Sequence, residues 1–177
     1  MRVVFIHGPA ASGKHTIGSL LSTRTGLPLF HNHLAVDLAK ALFEFGSEGF
    51  TQLRAKVWLA AFSEATVAGT SFIFTFHPEA TVDPSLIDAL VEIVESSGGE
   101  VCFVELQANR ETVLRRLGNA SRARFGKLMD PKLYQQIESD GGFDFPALPT
   151  PLLVIDTGAI KAEDAAVAIE QALNRAA

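Results

Sequence analysis

A chain of 177 residues, 47% apolar and 20% charged, has a globular composition, and its length allows roughly 70% of the surface of the unfolded chain to be buried in one domain, 1–177. The formal net charge of -5 argues against a protein built for non-specific nucleic-acid binding, which needs a net basic surface. No apolar run approaches the 18 or so residues of a membrane span, the N-terminus enters a strand at once without room for a signal segment, and one cysteine allows no intrachain disulfide; a cytoplasmic protein is expected.

The apolar run Val3–Ile6 reads as a buried strand, followed by Gly8-Pro9-Ala10-Ala11-Ser12-Gly13-Lys14-His15-Thr16 and an amphipathic helix from about Lys14 to Thr23, closed by Gly26. Strand, glycine-bearing loop and helix in that order are the context in which G-x-x-x-x-G-K marks a phosphate-binding loop. Gly8 and Gly13 permit backbone angles a Cβ would block, successive N–H groups converge on phosphate oxygens, and Lys14 adds a point charge at the β/γ-phosphates. The Ser or Thr expected after the lysine is replaced by His15, with Thr16 next; the Thr16 hydroxyl can still reach a phosphate oxygen or a metal-bound water.

Leu27–Phe30 is a short second strand with His31-Asn32-His33 at its carboxyl end, where ligands bind in open parallel sheets. Helical spacing from Leu34 to Phe45 ends at Gly46, and a further helix runs from near Glu48 to Gly69. Ser71–Phe76 is a third strand, apolar on both faces, with His77 and Glu79 beyond it and no acid at its end. Asp83-Pro84 starts a helix that runs to Gly98-Gly99, Val101–Leu106 is the fourth strand with Cys102 buried inside it, and Asn109 caps a short helix. The polar, basic stretch Gly118–Asp130 follows, then a helix near Pro131–Ser139, a loop Gly141–Pro151 rich in glycine, proline and phenylalanine, the last strand Leu152–Ile155, and a closing helix Ala162–Leu173. Strands alternating with helices predict an α/β fold, a doubly wound five-stranded parallel sheet with helices on both faces.

Two constellations bear on chemistry beside the loop. Arg115, Arg116, Arg122, Arg124 and Lys127 concentrate positive charge around 118–130, which is either a solvated basic surface or a lid that closes over a transferring phosphoryl group; Arg116 and Arg122 are the preferred catalytic cations. His31, Asn32 and His33, with Asp37 one turn on, either bind a polar acceptor and take the proton of an attacking hydroxyl, His33 ahead of Asp37, or serve only as helix cap and buried polar partners. Asp156-Thr157-Gly158 lines a nucleotide base or forms a plain turn.

On these residues the chain resembles the small phosphate-loop kinases, the shikimate kinase-like and nucleoside monophosphate kinase-like group, and more distantly chloramphenicol phosphotransferase. The resemblance implies a P-loop NTPase three-layer sandwich that binds ATP and Mg²⁺ and transfers phosphate to a small molecule. Residues 42–54 look like the G-E, F-R segment of shikimate kinase, which would make Arg54 a candidate for an acidic group of the acceptor. The acidic D-x-D at the end of strand two and the triple glycine after strand three are replaced by Asn32-His33 and by Phe76-His77-Pro78-Glu79, so the implied reaction class carries over and shikimate does not. The competing reading is a slow NTPase with a regulatory role and no acceptor; an RNA-binding kinase would rest on the basic stretch alone.

Overall fold

The computed structural model describes residues 1–118 and 128–176. In chain order the elements are β1 Arg2–His7, α1 Lys14–Thr25, β2 Leu29–His31, α2 His33–Lys40, α3 Glu48–Val67, β3 Phe72–Phe76, α4 Pro84–Glu95, β4 Glu100–Gln107, α5 Arg110–Leu117, α6 Pro131–Ser139, β5 Leu153–Asp156 and α7 Ala162–Arg175. The five strands form one sheet in the order β2-β3-β1-β4-β5, and every pairing is parallel. β1 is central, with Ile6 opposite Thr75 of β3 and Val104 of β4, so the loop after it emerges between two long neighbours at the carboxyl edge.

Alternation along the strands sorts the core into two faces. Val4, Ile6, Ile73 and Val104 point to Ile17 and Leu21 of α1 and to Ala166 and Ile169 of α7. Val3, Phe5, Phe74 and Phe76 point to the other face, where Trp58 and Phe62 of α3 and Leu90 and Val94 of α4 cover them. The result is a three-layer sandwich. Phe5 and Phe74 meet edge to face at 5.1 Å, and Trp58 meets Phe74 at 5.4 Å, so aromatic geometry adds to burial at the centre.

Helix starts follow local chemistry. Ser47 accepts from Phe50 N at 3.4 Å, Asp83 from Ser85 N at 2.9 Å, Asn109 from Thr112 N at 2.9 Å and Asp130 from Lys132 N at 2.8 Å, with Pro84 and Pro131 opening α4 and α6. The helical pattern expected to reach Phe45 stops at Lys40: the N–H groups of Leu42 and Phe43 both turn back to the Ala39 carbonyl, at 3.2 and 2.9 Å, and Leu42 and Phe45 are exposed. Apolar spacing there reflects no buried face. Cys102 is buried, and desolvation pushes its thiol up to about 11, as befits a structural residue rather than a nucleophile. Among the described residues no helix is long and apolar enough to cross a membrane.

A separate small cluster positions the elements above the sheet edge. Val113 and Leu117 of α5 pack with Tyr134 of α6, and Ala10, Ala11 and Phe143 join them, so the helices flanking the basic stretch are seated on the loop after β1. Phe145 reaches into the larger core against Phe76 at 5.4 Å, and Ala80 N donates to Gly142 O at 3.0 Å. Segment 141–151, read from the sequence as a loop, thus walls one side of the carboxyl edge.

Candidate functional site

The loop after β1 has the backbone its glycines imply. Gly8 lies at φ 148°, where an added Cβ would fall 2.1 Å from the Leu106 carbonyl oxygen, and Gly13 lies at φ 93° as the residue before α1. Ala11 takes φ 57°, an unusual conformation for a residue with a Cβ. Gly13, the residue before α1, has no side chain with which to cap the helix start. The positive dipole end and the backbone N–H groups of a helix start suit an anion. Ser12 is fully buried, and Lys14 Nζ folds back to donate to the carbonyls of Gly8 at 2.8 Å and Pro9 at 2.6 Å.

A cavity of about 840 Å³ opens over this loop. Ala10 through Ile17 form its floor, including Lys14, His15 and Thr16, whereas Gly8 and Pro9 are not lining residues. Arg116 enters from α5: it donates to Thr157 Oγ1 at 3.0 Å, to Thr157 O at 2.6 Å and to Ala11 O at 3.4 Å. Thr157 is buried and itself donates to Gln107 O at 3.1 Å, which anchors the contact to β4. Arg116 therefore bridges the phosphate loop and the turn after β5. Asp156, in contrast, is exposed, accepts from Gly158 N at 2.8 Å and does not line the cavity.

The same cavity continues to the ends of β2 and β3. His31, Asn32, His33 and Thr75 line it, with the His15 ring edge-on to His31 at 4.8 Å and His31 6.5 Å from His33. Asn32 is the residue before α2 but makes no side-chain cap, and its Oδ1 is buried with no hydrogen-bond partner among the described residues. The capping alternative for Asn32 is thereby corrected, since its amide is not spent on the helix. Asp37 is exposed on α2 and is not a lining residue. Arg122, with Arg124 and Lys127, lies outside the described residues.

Arg54 also stands apart from what the resemblance implies for it. Its side chain is only 2% exposed, it does not line the cavity, and its guanidinium is held over the rings of Phe50 and Trp58 at 5.1 and 5.4 Å. Nη1 donates to Glu79 Oε1 at 2.5 Å and Nη2 to Thr81 O at 2.7 Å. Burial pulls the Arg54 pKa below its ordinary value, and the Glu79 charge opposes that pull. Glu79 and Thr81 are the members of this group that reach the cavity.

Residues that sequence reasoning passed over or ranked low complete the wall. His77 donates from Nδ1 to Gly8 O at 3.2 Å and packs on Phe143 at 5.2 Å; Lys40, Thr81 and Phe143 add a cation, a hydroxyl and an apolar side. The position of His77 and Glu79 just past a strand end was the available signal. Phe143 and Lys40 had none, because neither sits in a motif.

No protein-family model matches this sequence, and no curated protein matches it. Solved structures do. An unliganded sugar kinase from Janibacter sp. is 19% identical, with 98% of this chain and 95% of that one covered at a TM-score of 0.68. APS kinase from Mycobacterium tuberculosis, solved with AMPPNP and APS, is 15% identical, with 98% and 97% covered at 0.66. Shikimate kinase from Acinetobacter baumannii, solved with shikimate, is 18% identical, with 98% and 93% covered at 0.58. The fold is that of the small P-loop kinases over nearly the whole chain.

Proposed function

We propose that this chain is an ATP-dependent phosphotransferase acting on a small hydroxylated or phosphorylated metabolite. One observation carries the reading: a single cavity runs from the phosphate loop to a polar pocket at the ends of β2 and β3, which is where a donor and an acceptor must meet for in-line transfer. The glycine-preceded start of α1 and Lys14 suit the triphosphate, and the Arg116 bridge suits a cation that tightens over it. His31, Asn32 and His33 face the acceptor, with His33 as the group that takes its hydroxyl proton. Support for the kinase class also comes from the shared fold, whose solved members include sugar and shikimate kinases.

The donor set fits a Mg²⁺ held mainly by phosphate oxygens and water. Thr16 offers a hydroxyl beside the loop, and no group of three or more His, Cys, Asp or Glu is placed to cage an ion among the described residues. When bound, the ion supplies neutralising charge across the phosphates.

Titration with ATP or ADP plus Mg²⁺ should give a micromolar affinity that is lost in Lys14→Ala while the circular dichroism and melting curve stay parental. Retained affinity in a folded Lys14→Ala protein would sink the proposal. The absence of an acid at the end of β3, where Thr75-Phe76 stand, favours a second reading as a slow NTPase with a regulatory role. A panel of hydroxylated and phosphorylated metabolites separates the two: acceptor-dependent ADP release marks a transferase, and acceptor-independent release at background rate marks the alternative.

A further inference from the structure

Glu79 is the only carboxylate lining the cavity among the described residues, and it is placed there by a partner 25 positions earlier in the chain. Its Oε1 carries the whole internal load, accepting from Arg54 Nη1 at 2.5 Å and from the Thr81 hydroxyl at 2.8 Å. Oε2 has no hydrogen-bond partner among the described residues. The turn that carries Glu79 is fixed as well: Val82 N donates to Glu79 O at 3.1 Å and the Val82 side chain is buried in the core. Glu79 therefore brings to the cavity a carboxylate held at Oε1, with Oε2 taking no hydrogen bond among the described residues.

What such an oxygen selects follows from its surroundings. Both terminal nitrogens of Arg54 are committed to Glu79 and Thr81, its remaining Nε is buried, and its faces are covered by Phe50 and Trp58. The guanidinium thus has no edge to offer an incoming acid, and a second carboxylate brought against Oε2 would set acceptor against acceptor with no donor between them. A hydroxyl, by contrast, donates directly to Oε2. An ammonium is disfavoured, because the Arg54 charge already balances Glu79 while Lys14, Lys40 and Arg116 line the same cavity.

Resting on the transferase reading above, we infer that Glu79, held by Arg54 and Thr81, is a specificity residue that hydrogen-bonds a hydroxyl of a neutral polyhydroxylated acceptor and rejects acceptors with a carboxylate at that end. A site built to pair a substrate hydroxyl discriminates strongly against an analogue that cannot donate.

The test uses the intact protein with ATP and Mg²⁺ and two matched series, the three- to six-carbon alditols and the corresponding aldonates, which differ by a terminal CH₂OH against a carboxylate. ADP release is read as kcat/KM. The parent should favour at least one alditol over its aldonate by about tenfold or more. Glu79→Gln, which keeps an acceptor oxygen for Arg54 but puts an amide donor where Oε2 stands and removes the negative charge, should shift that ratio toward the aldonate by about tenfold. The double variant Arg54→Met/Glu79→Gln removes both charges, and it should lose the alditol preference without gaining aldonate turnover. Should the single variant fail to fold, the double variant decides, and an alditol preference surviving there overturns the inference. Aldonates used by the parent as well as alditols, or a ratio unmoved by Glu79→Gln, also overturn it, while the transferase reading stands. ADP release from neither series, with ATP binding still dependent on Lys14, overturns the inference alone; the transferase reading falls with it only when the wider panel of hydroxylated and phosphorylated metabolites also gives no acceptor-dependent ADP release.

Discussion

His7, the last residue of β1, is 7% exposed and sits immediately before the phosphate loop, opposite Glu105 on β4 with Phe103 at 6.2 Å. Burial lowers its pKa from 6.5 to about 4; the Glu105 charge opposes this and Lys14 reinforces it. The unfolded chain therefore binds a proton at this residue below pH 6.5, whereas the native protein does not until about pH 4. Stability contributed by neutral His7 is fully present above pH 6.5 and falls as pH drops through that window. The loss works out to about 2 kcal/mol at pH 5 and about 3 kcal/mol by pH 4. For a chain of this size, about 2 kcal/mol corresponds to a fall of roughly 4–8 °C in Tm. Urea and thermal melts of the parent and of His7→Asn at pH 7.5 and pH 5 measure it, because carboxylates titrating elsewhere contribute equally to both proteins and cancel. The parent should lose about 2 kcal/mol more than the variant on acidification. The same loss in both would show that His7 is not held neutral by burial, and the reasoning would fail.

Gly8→Ala places a Cβ 2.1 Å from Leu106 O at a backbone angle suited to glycine, so it should cost about 1–3 kcal/mol from the backbone alone and weaken ATP binding at least about a hundredfold; parental affinity in a titration would count against the loop geometry. Arg116→Met removes the bridge between Ala11 and Thr157 and should weaken ATP affinity about tenfold with a larger drop in turnover; if neither constant moves, the bridge is only structural. Once an acceptor is in hand, His33→Ala should lower kcat about a hundredfold, while Asp37→Ala, on the exposed face of α2, should stay within about threefold. Rates within threefold for both, and for His31→Ala, would remove the base assignment from this cluster.

The phosphate loop was legible in the chain because its parts are contiguous: a strand, two glycines and a lysine lie within fourteen residues, and backbone conformation depends on near neighbours. The same holds for the helix starts at Asp83-Pro84 and Asn109, where the capping oxygen and the amide it meets are two or three residues apart. The parallel sheet followed from strands alternating with helices, since such strands need crossovers and fill both faces with apolar side chains. Residue type alone, however, did not say which polar side chains would share the cavity. Arg54 carries a charge suited to an acidic ligand, yet α3 delivers its guanidinium beneath Trp58 and onto Glu79, so its charge is satisfied within the protein. Arg116 and Thr157 stand 41 positions apart and meet only because α5 and the turn after β5 reach the same sheet edge. Phe143 becomes a wall because Phe145 is drawn into the core beside Phe76. Composition and local pattern determined the phosphate-loop end of the cavity, whose floor belongs to one short segment. Tertiary packing decided the opposite end, where α2, the turn after β3 and segment 141–151 each bring side chains whose partners are set by the core beneath them.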